Sequence, residues 1–119
     1  MRLGNKEYKL IIAGTRGYKI KEEELGSFIG EKLPSLVLSG CSGKVDLAGE
    51  EWAIKNEVNI GYFPAMWTKF GLAAGPMRNR EMASRATHLL AFWNGKSKGT
   101  ANMIWEAAKK NLIIKIVAV

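Results

Sequence analysis

Short apolar runs alternate with amphipathic segments along this chain, and this alternation restricts its fold more than any other feature. The runs are nearly continuous, as expected of strands buried on both faces of a parallel sheet. Alternation of strands and helices indicates βαβ units with right-handed crossovers. The sequence therefore predicts an α/β fold, a Rossmann-like parallel sheet of about five strands with helices on both faces. The predicted strands are Lys9 to Ala13, Leu36 to Ser39, Asn59 to Phe63, His88 to Trp93 and Leu112 to Val119.

The segments between these runs carry the signals of helices. Glutamates open the first, and acidic side chains suit the positive end of a helix dipole. The second repeats apolar residues at helical spacing. Gly75-Pro76 opens the third, because proline suits a first helical position, and Thr100 is a candidate N-cap of the fourth. The predicted helices are Lys21 to Lys32, Lys44 to Val58, Pro76 to Arg85 and Thr100 to Lys110.

The composition fits one globular domain over residues 1–119. The hydrophobic fraction of 47% is too high for a disordered chain. A single cysteine excludes an intramolecular disulfide and fits a reducing cytosol. No apolar run approaches the roughly 20 residues of a membrane span, and Met1 to Glu7 lacks the apolar core of a secretory signal. We therefore expect a cytoplasmic protein without a membrane partner.

Glycine-rich turns follow three of the predicted strands. Glycine lets the backbone come close to a ligand, and the free N–H groups of a helix start attract anions. Ligands of such sheets bind beyond the carboxyl ends of the strands, where the strand order reverses. The turns therefore predict one pocket for a phosphate-bearing small molecule. They are Ala13 to Gly17, Ser39 to Gly43 and Asn94 to Thr100.

Charged side chains beside these turns are candidates for ligand contacts. Arg16 and Arg78 can each clamp a phosphate or carboxylate with two hydrogen bonds. A surface salt bridge is the better explanation for an isolated arginine, but two arginines at helix or strand ends beside glycine turns favour a ligand site. Asp46 can accept hydrogen bonds from ribose hydroxyls or simply favour the helix dipole. Lys96 and Lys98 resemble an anion-binding loop, but their spacing does not match a P-loop, and a solvated loop is the alternative.

The remaining reactive and aromatic side chains indicate a function less specifically. Cys41 follows a strand near a helix start, whereas His88 begins an apolar run, so we expect an inert thiol and a structural histidine. One cysteine and one histidine are too few for a transition-metal site, and we expect neither a metal nor a cofactor. Trp67 and Phe70 are candidates for stacking on a base, sealing a dimer or packing over the sheet edge.

The net charge of +7 permits an anionic partner. A nucleotide, a nucleic acid and an acidic protein all satisfy it, as does a merely solvated basic surface. Single-stranded nucleic-acid binding would require a basic groove with stacking aromatics. Because the chain lacks a run of alternating basic and aromatic residues, we expect only weak nucleic-acid binding.

Four segments together resemble the YspA/YpsA-related branch of the SLOG superfamily, a group of small bacterial and phage proteins long described as a domain of unknown function. The resemblance covers nearly the whole chain, in matching order. Its most specific part is the stretch Trp-x-x-Phe-Gly-x-Ala-Ala-Gly-Pro-x-Arg-Asn, which the chain contains from Trp67 to Asn79. The other three segments are Ala13 to Arg16, Ser39 to Ala53, and Gly99-Thr100.

This resemblance implies a Rossmann-like SLOG-type domain that binds a nucleotide or an ADP-ribose-like ligand, as a sensor or a sequestering protein. Relatives include phosphoribohydrolases, which carry a catalytic glutamate three residues after a glycine-threonine pair. Met103 occupies that place here. Glycosidic hydrolysis of a nucleotide, with Glu50 or Glu106 as the acidic group, is one alternative function, and DprA-like binding of single strands is another. Relatives often self-associate, and few charges accompany the apolar residues of Pro64 to Ala74, so we expect a homo-oligomer.

The expected ligand-binding residues come from the glycine turns and the helix starts. Arg16, the second turn, Arg78 and Gly99-Thr100 are expected to hold phosphates, and Asp46 is expected to meet a ribose. Arg78 also matches the pocket arginine of the hydrolases by its position at a helix start. The complete set is Gly14, Thr15, Arg16, Ser39, Gly40, Cys41, Ser42, Gly43, Asp46, Arg78, Asn79, Gly99 and Thr100.

Overall fold

Five parallel strands form one sheet in the computed structural model, which describes residues 7–119. The chain runs outward from the first strand to the third, and then crosses to the other side for the last two. The spatial order is therefore β3-β2-β1-β4-β5, and it reverses between β1 and β4. This arrangement confirms the predicted α/β fold. The strands are β1 (Lys9–Gly14), β2 (Leu36–Ser39), β3 (Asn59–Tyr62), β4 (His88–Trp93) and β5 (Ile113–Ala118).

Helices cover both faces of this sheet. Alternate residues of β1 point to opposite faces: Ile12 belongs to one apolar cluster and Ile11 to the other. The first and second helices supply Leu25 and Trp52 to the cluster of Ile12, and the last two long helices pack on the opposite face. The helices are α1 (Glu22–Ile29), α2 (Lys44–Lys55), α3 (Trp67–Phe70), α4 (Ala74–Arg85) and α5 (Lys98–Lys109), with a 3-10 turn at Gly71–Ala73.

Two predicted helix ends lie too far along the chain. The first helix stops at Ile29 rather than Lys32, because Gly30 takes a φ of +86° and its N–H bonds to Gly26 O. The second stops at Lys55 rather than Val58, because Glu57 takes a φ of +57° there. Both endings depend on single residues in the left-handed region, which a helical period does not reveal.

Two predicted helix starts also differ from the structure. Helix α4 begins at Ala74 rather than Pro76. Proline is tolerated at the third helical position, because the first four N–H groups have no intrahelical partner. The N-cap of α5 is Ser97 rather than Thr100, and the Ser97 hydroxyl accepts a hydrogen bond from Thr100 N.

None of the helices formed by residues 7–119 combines the length and the apolar character that crossing a membrane requires.

Candidate functional site

A cavity of about 470 Å³ opens at the carboxyl ends of the strands. Its wall combines the exit of β1 with the amino ends of α2, α4 and α5. The cavity therefore lies where ligands of such sheets bind, beside the point between β1 and β4 at which the strand order reverses. The wall consists of Ala13, Gly14, Arg16, Gly40, Ser42, Gly43, Asp46, Trp67, Leu72, Gly75, Pro76, Arg78, Asn79, Met82, Ser97, Lys98, Gly99, Thr100, Asn102 and Met103.

The turn after β1 brings backbone to the cavity because Gly14 has no side chain. A Cβ atom at this position would lie 2.5 Å from Val45 Cγ2, so β1 and α2 approach closely only with glycine here. Thr15 does not contribute to the wall. Its N–H instead bonds to Phe92 O at 2.8 Å, and its hydroxyl accepts a hydrogen bond from Asn94 N at 3.0 Å. Thr15 therefore ties the turn after β1 to the turn after β4.

The turn after β2 is held in shape by side chains that stay outside the cavity. Ser39 is fully buried, and its hydroxyl donates to Glu50 Oε2 and accepts from Cys41 N. Cys41 is exposed and takes a φ of +59°, an uncommon conformation for a residue other than glycine. Neither residue lines the cavity, whereas Gly40, Ser42 and Gly43 do. The turn thus presents its backbone to the cavity.

Arg78 joins the start of α4 to this turn. Its Nη1 donates to Gly40 O, and its Nε donates to Asn79 Oδ1 at 2.9 Å. A Cβ atom on Gly40 would lie 2.8 Å from Nη1, so glycine makes room for the guanidinium group. Burial lowers the pKa of Arg78, while Asp46 and Cys41 oppose the shift. The guanidinium is nevertheless protonated at any physiological pH and places a half-buried positive charge in the wall.

Asp46 provides a buried carboxylate in the first turn of α2. Its Oδ2 accepts hydrogen bonds from Ser42 N at 2.9 Å and from Ser42 Oγ at 3.1 Å. Burial raises the pKa of Asp46, while the Ser42 hydrogen bonds and the charge of Arg78 lower it and the nearby Glu50 raises it further. A carboxylate in this position can accept hydrogen bonds from ligand hydroxyls.

The start of α5 forms another part of the wall. Asn94 Oδ1 accepts hydrogen bonds from Lys96 N and Ser97 N, both at 2.9 Å, and so shapes the turn before the helix. Asn79 is buried and its Nδ2 donates to Asn102 Oδ1 at 2.8 Å, which links α4 to α5. Asn102 was not among the predicted site residues, since no motif marks a single asparagine inside a helix.

The structure thus brings most of the predicted ligand-binding residues to one cavity. Three of them, Thr15, Ser39 and Cys41, lie behind the wall and support its turns. The ten in the wall are Gly14, Arg16, Gly40, Ser42, Gly43, Asp46, Arg78, Asn79, Gly99 and Thr100.

The acidic groups named for the hydrolytic alternative do not line the cavity. Met103 lies in the wall, whereas Glu106 is buried near Arg80 and Lys109, and Glu50 bonds to Ser39. His88 begins β4 and Cys41 follows β2. Because the strands are parallel, the two residues lie at opposite ends of the strands.

The backbone turns, guanidinium and carboxylate of the cavity are all supplied by positions that the sequence pattern places at strand ends or helix starts. Comparisons of the chain with protein-family models, with curated proteins and with solved structures found no match.

Proposed function

We propose that this protein binds a nucleotide or an ADP-ribose-like phosphorylated ligand in the cavity, as a sensor or a sequestering protein. One observation carries the proposal: three glycine turns and the amino ends of α2, α4 and α5 meet around a single cavity that also contains Arg78 and Asp46. Helix starts and a guanidinium group favour a phosphate, and a carboxylate favours sugar hydroxyls. The resemblance to the SLOG superfamily supports the same ligand class.

Each group of wall residues has a separate role in this proposal. The phosphate side consists of Arg16, the Gly40–Gly43 backbone, Arg78 and the Gly99-Thr100 helix start. Arg16 and Lys98 are exposed at the cavity, so they can move to meet a charged group. Arg78 is already held by Gly40 and Asn79, so it loses little conformational freedom on binding. Asp46 accepts hydrogen bonds from the ribose.

Removal of the Arg78 side chain tests the phosphate site. We expect Arg78→Ala to weaken the binding of the best nucleotide in a calorimetric panel by about 2–3 kcal/mol, the range for a lost charge-assisted hydrogen bond. Arg85→Ala is the matched control, because Arg85 ends the same helix, is exposed, and pairs with Glu81 outside the cavity. Unchanged affinity in a folded Arg78→Ala protein would remove Arg78 from the site.

Arg78→Lys separates charge from geometry in the same experiment. Lysine keeps the positive charge but loses the planar fork that donates two parallel hydrogen bonds. We expect an affinity between those of the native protein and Arg78→Ala. Circular dichroism of each variant shows whether the contact with the turn after β2 is needed for folding.

A further inference from the structure

Trp67 is the only aromatic side chain in the part of the cavity wall formed by residues 7–119. It is 49% exposed, although tryptophan carries the largest apolar surface of any side chain. The ring therefore packs against protein on one part of its surface and is open on the rest. Exposure of this kind inside a cavity distinguishes Trp67 from Trp52, which is buried in the core at 4% exposure.

The position of the Trp67 ring is set by the backbone of α4. A Cβ atom on Gly75 would lie 3.2 Å from Trp67 Cη2 and 3.9 Å from Cζ3. The outer edge of the indole thus rests directly on a glycine at the start of α4. The segment that carries Trp67 turns into α4 through Gly71, whose φ is +58°. The tryptophan thus contacts the start of α4 and lines the cavity while about half exposed.

The cavity wall combines apolar and charged side chains. Leu72 and Pro76 follow Trp67 in the chain and contribute apolar wall. Arg78, Lys98 and Arg16 contribute positive charge, together with the carboxylate of Asp46. Along α4, Arg78 lies three residues after Gly75, which corresponds to a rise of about 4.5 Å at 1.5 Å per residue. A nucleoside phosphate carries its base and its phosphate on either side of one ribose, so a single sugar can bridge such a span.

We propose that Trp67 is a stacking platform for the base of the bound ligand, so that the site takes nucleoside phosphates in preference to sugar phosphates. The inference rests on the proposed function, because it assumes that a phosphate occupies the glycine turns. Every base presents a π-face, so stacking selects for a base without choosing among bases. Gly75 is the positioning residue for this platform, since a Cβ atom there would lie 3.2 Å from Trp67 Cη2 and force the indole to shift by a few tenths of an ångström.

Calorimetric titrations with four nucleoside monophosphates and with ribose 5-phosphate test the inference. In the native protein we expect the best nucleotide to bind at least roughly ten-fold more tightly than ribose 5-phosphate, which is within the range measured for base–aromatic stacking. Trp67→Ala should remove that advantage, because it weakens nucleotide binding more than ribose 5-phosphate binding, and Trp67→Phe should keep part of it. Gly75→Ala should reduce it. Trp105→Ala is the matched control, because Trp105 is 58% exposed and lies outside the cavity wall.

The outcomes separate this inference from the proposed function. Equal affinity for nucleotides and ribose 5-phosphate in the native protein would overturn the stacking platform and leave the phosphate site standing. A nucleotide preference that survives in folded Trp67→Ala would overturn it as well. If neither nucleotides nor ribose 5-phosphate bind, both proposals fail. Loss of the preference in Trp67→Ala, with Trp105→Ala unaffected, would support the platform.

Discussion

Asp46 and Arg78 show how burial changes the behaviour of single charged groups in the cavity wall. Asp46 is 8% exposed and Arg78 is half-buried, whereas Arg16 and Lys98 are exposed. Burial raises the pKa of the acid and lowers that of the base, and their mutual attraction opposes both shifts. The opposite charge thus offsets part of the cost of keeping each group away from water.

The raised pKa of Asp46 gives the stability of the protein a pH dependence. Because the folded chain binds this proton more tightly than the unfolded chain, Asp46 stabilises the fold most below its usual pKa of 3.8. That contribution is lost as the pH rises through the raised pKa. Asp46→Asn has no such proton and does not lose this contribution. The free energy of unfolding of Asp46→Asn minus that of the native protein should therefore increase as the pH rises above 3.8.

Urea denaturation at a series of pH values measures this difference. Asparagine still offers an oxygen to Ser42 N, which keeps the substitution mild. Glu51→Gln on the same helix serves as the exposed control. A difference that instead decreases with pH would show that the Ser42 hydrogen bonds and Arg78 outweigh burial.

Met103 leads us to expect no glycosidic hydrolysis. It lines the cavity three residues after Thr100, at the place where the expected resemblance to phosphoribohydrolases puts a catalytic glutamate, and Glu106 lies outside the wall. Overnight incubation with nucleoside monophosphates should therefore release no free base, as measured by chromatography. Base release that disappears in Glu106→Gln or in Asp46→Asn would contradict this and make the protein an enzyme.

At the scale of elements, close contact between strand β1 and helix α2 brings the glycine turns after β1 and β2 to the same cavity. Gly14 packs against Val45 at the end of the strand, and Gly49 packs against Ile12 one helical turn further along. A Cβ atom on Gly49 would lie 3.2 Å from Ile12 Cβ. Small residues on both elements therefore set their separation.

Gly14→Ala should destabilise the protein by about 1–3 kcal/mol, the usual cost of overfilling a packed contact. The added methyl group would lie 2.5 Å from Val45 Cγ2, so β1 and α2 must move apart. Gly99→Ala is the control: nothing lies within 4 Å of its Cβ position, and alanine favours the helix by up to about 1 kcal/mol. Thermal and urea denaturation measure both. Equal stability of the two variants would show that β1 and α2 adjust without cost.

At the scale of the whole molecule, the net charge of +7 should produce weak, salt-sensitive binding to single-stranded DNA. Electrostatic affinity of this kind should largely disappear at roughly physiological ionic strength, where the Debye length is about 8 Å. Fluorescence anisotropy of a labelled oligonucleotide across a salt series is the measurement. Tight binding that persists in salt and is lost in Trp67→Ala would favour the DprA-like alternative.

The segment between β3 and α4 exposes apolar side chains that predict self-association. Leu72 is 92% exposed and Met66 is 54% exposed. Clusters of exposed apolar residues commonly mark interfaces. We expect a homodimer or a larger oligomer in light scattering, shifted towards the monomer by Leu72→Glu. Ile54→Glu is the control, because Ile54 is an exposed apolar residue of α2 outside this segment. A monomer mass at high micromolar concentration would overturn the expectation.

The sequence by itself determined the class of the fold and the location of the glycine turns. Buried parallel strands are short apolar runs and helices carry a 3.6-residue period, and both signals are local. The strands begin and end within two residues of their predicted positions. Because glycine turns follow strands, their place at one edge of the sheet could also be derived from the sequence.

Only the tertiary structure decided which side chains line the cavity and which support it. Thr15, Ser39 and Cys41 belong to the right turns but lie outside the wall. Thr15 and Ser39 bond to neighbouring segments, and Cys41 bonds to Ser39 within its own turn. Asn102 enters the wall through a bond to Asn79 from another helix. Trp67 meets the cavity because it rests on Gly75. Each of these contacts depends on how strands and helices pack against each other, and no pattern within one segment contains that information.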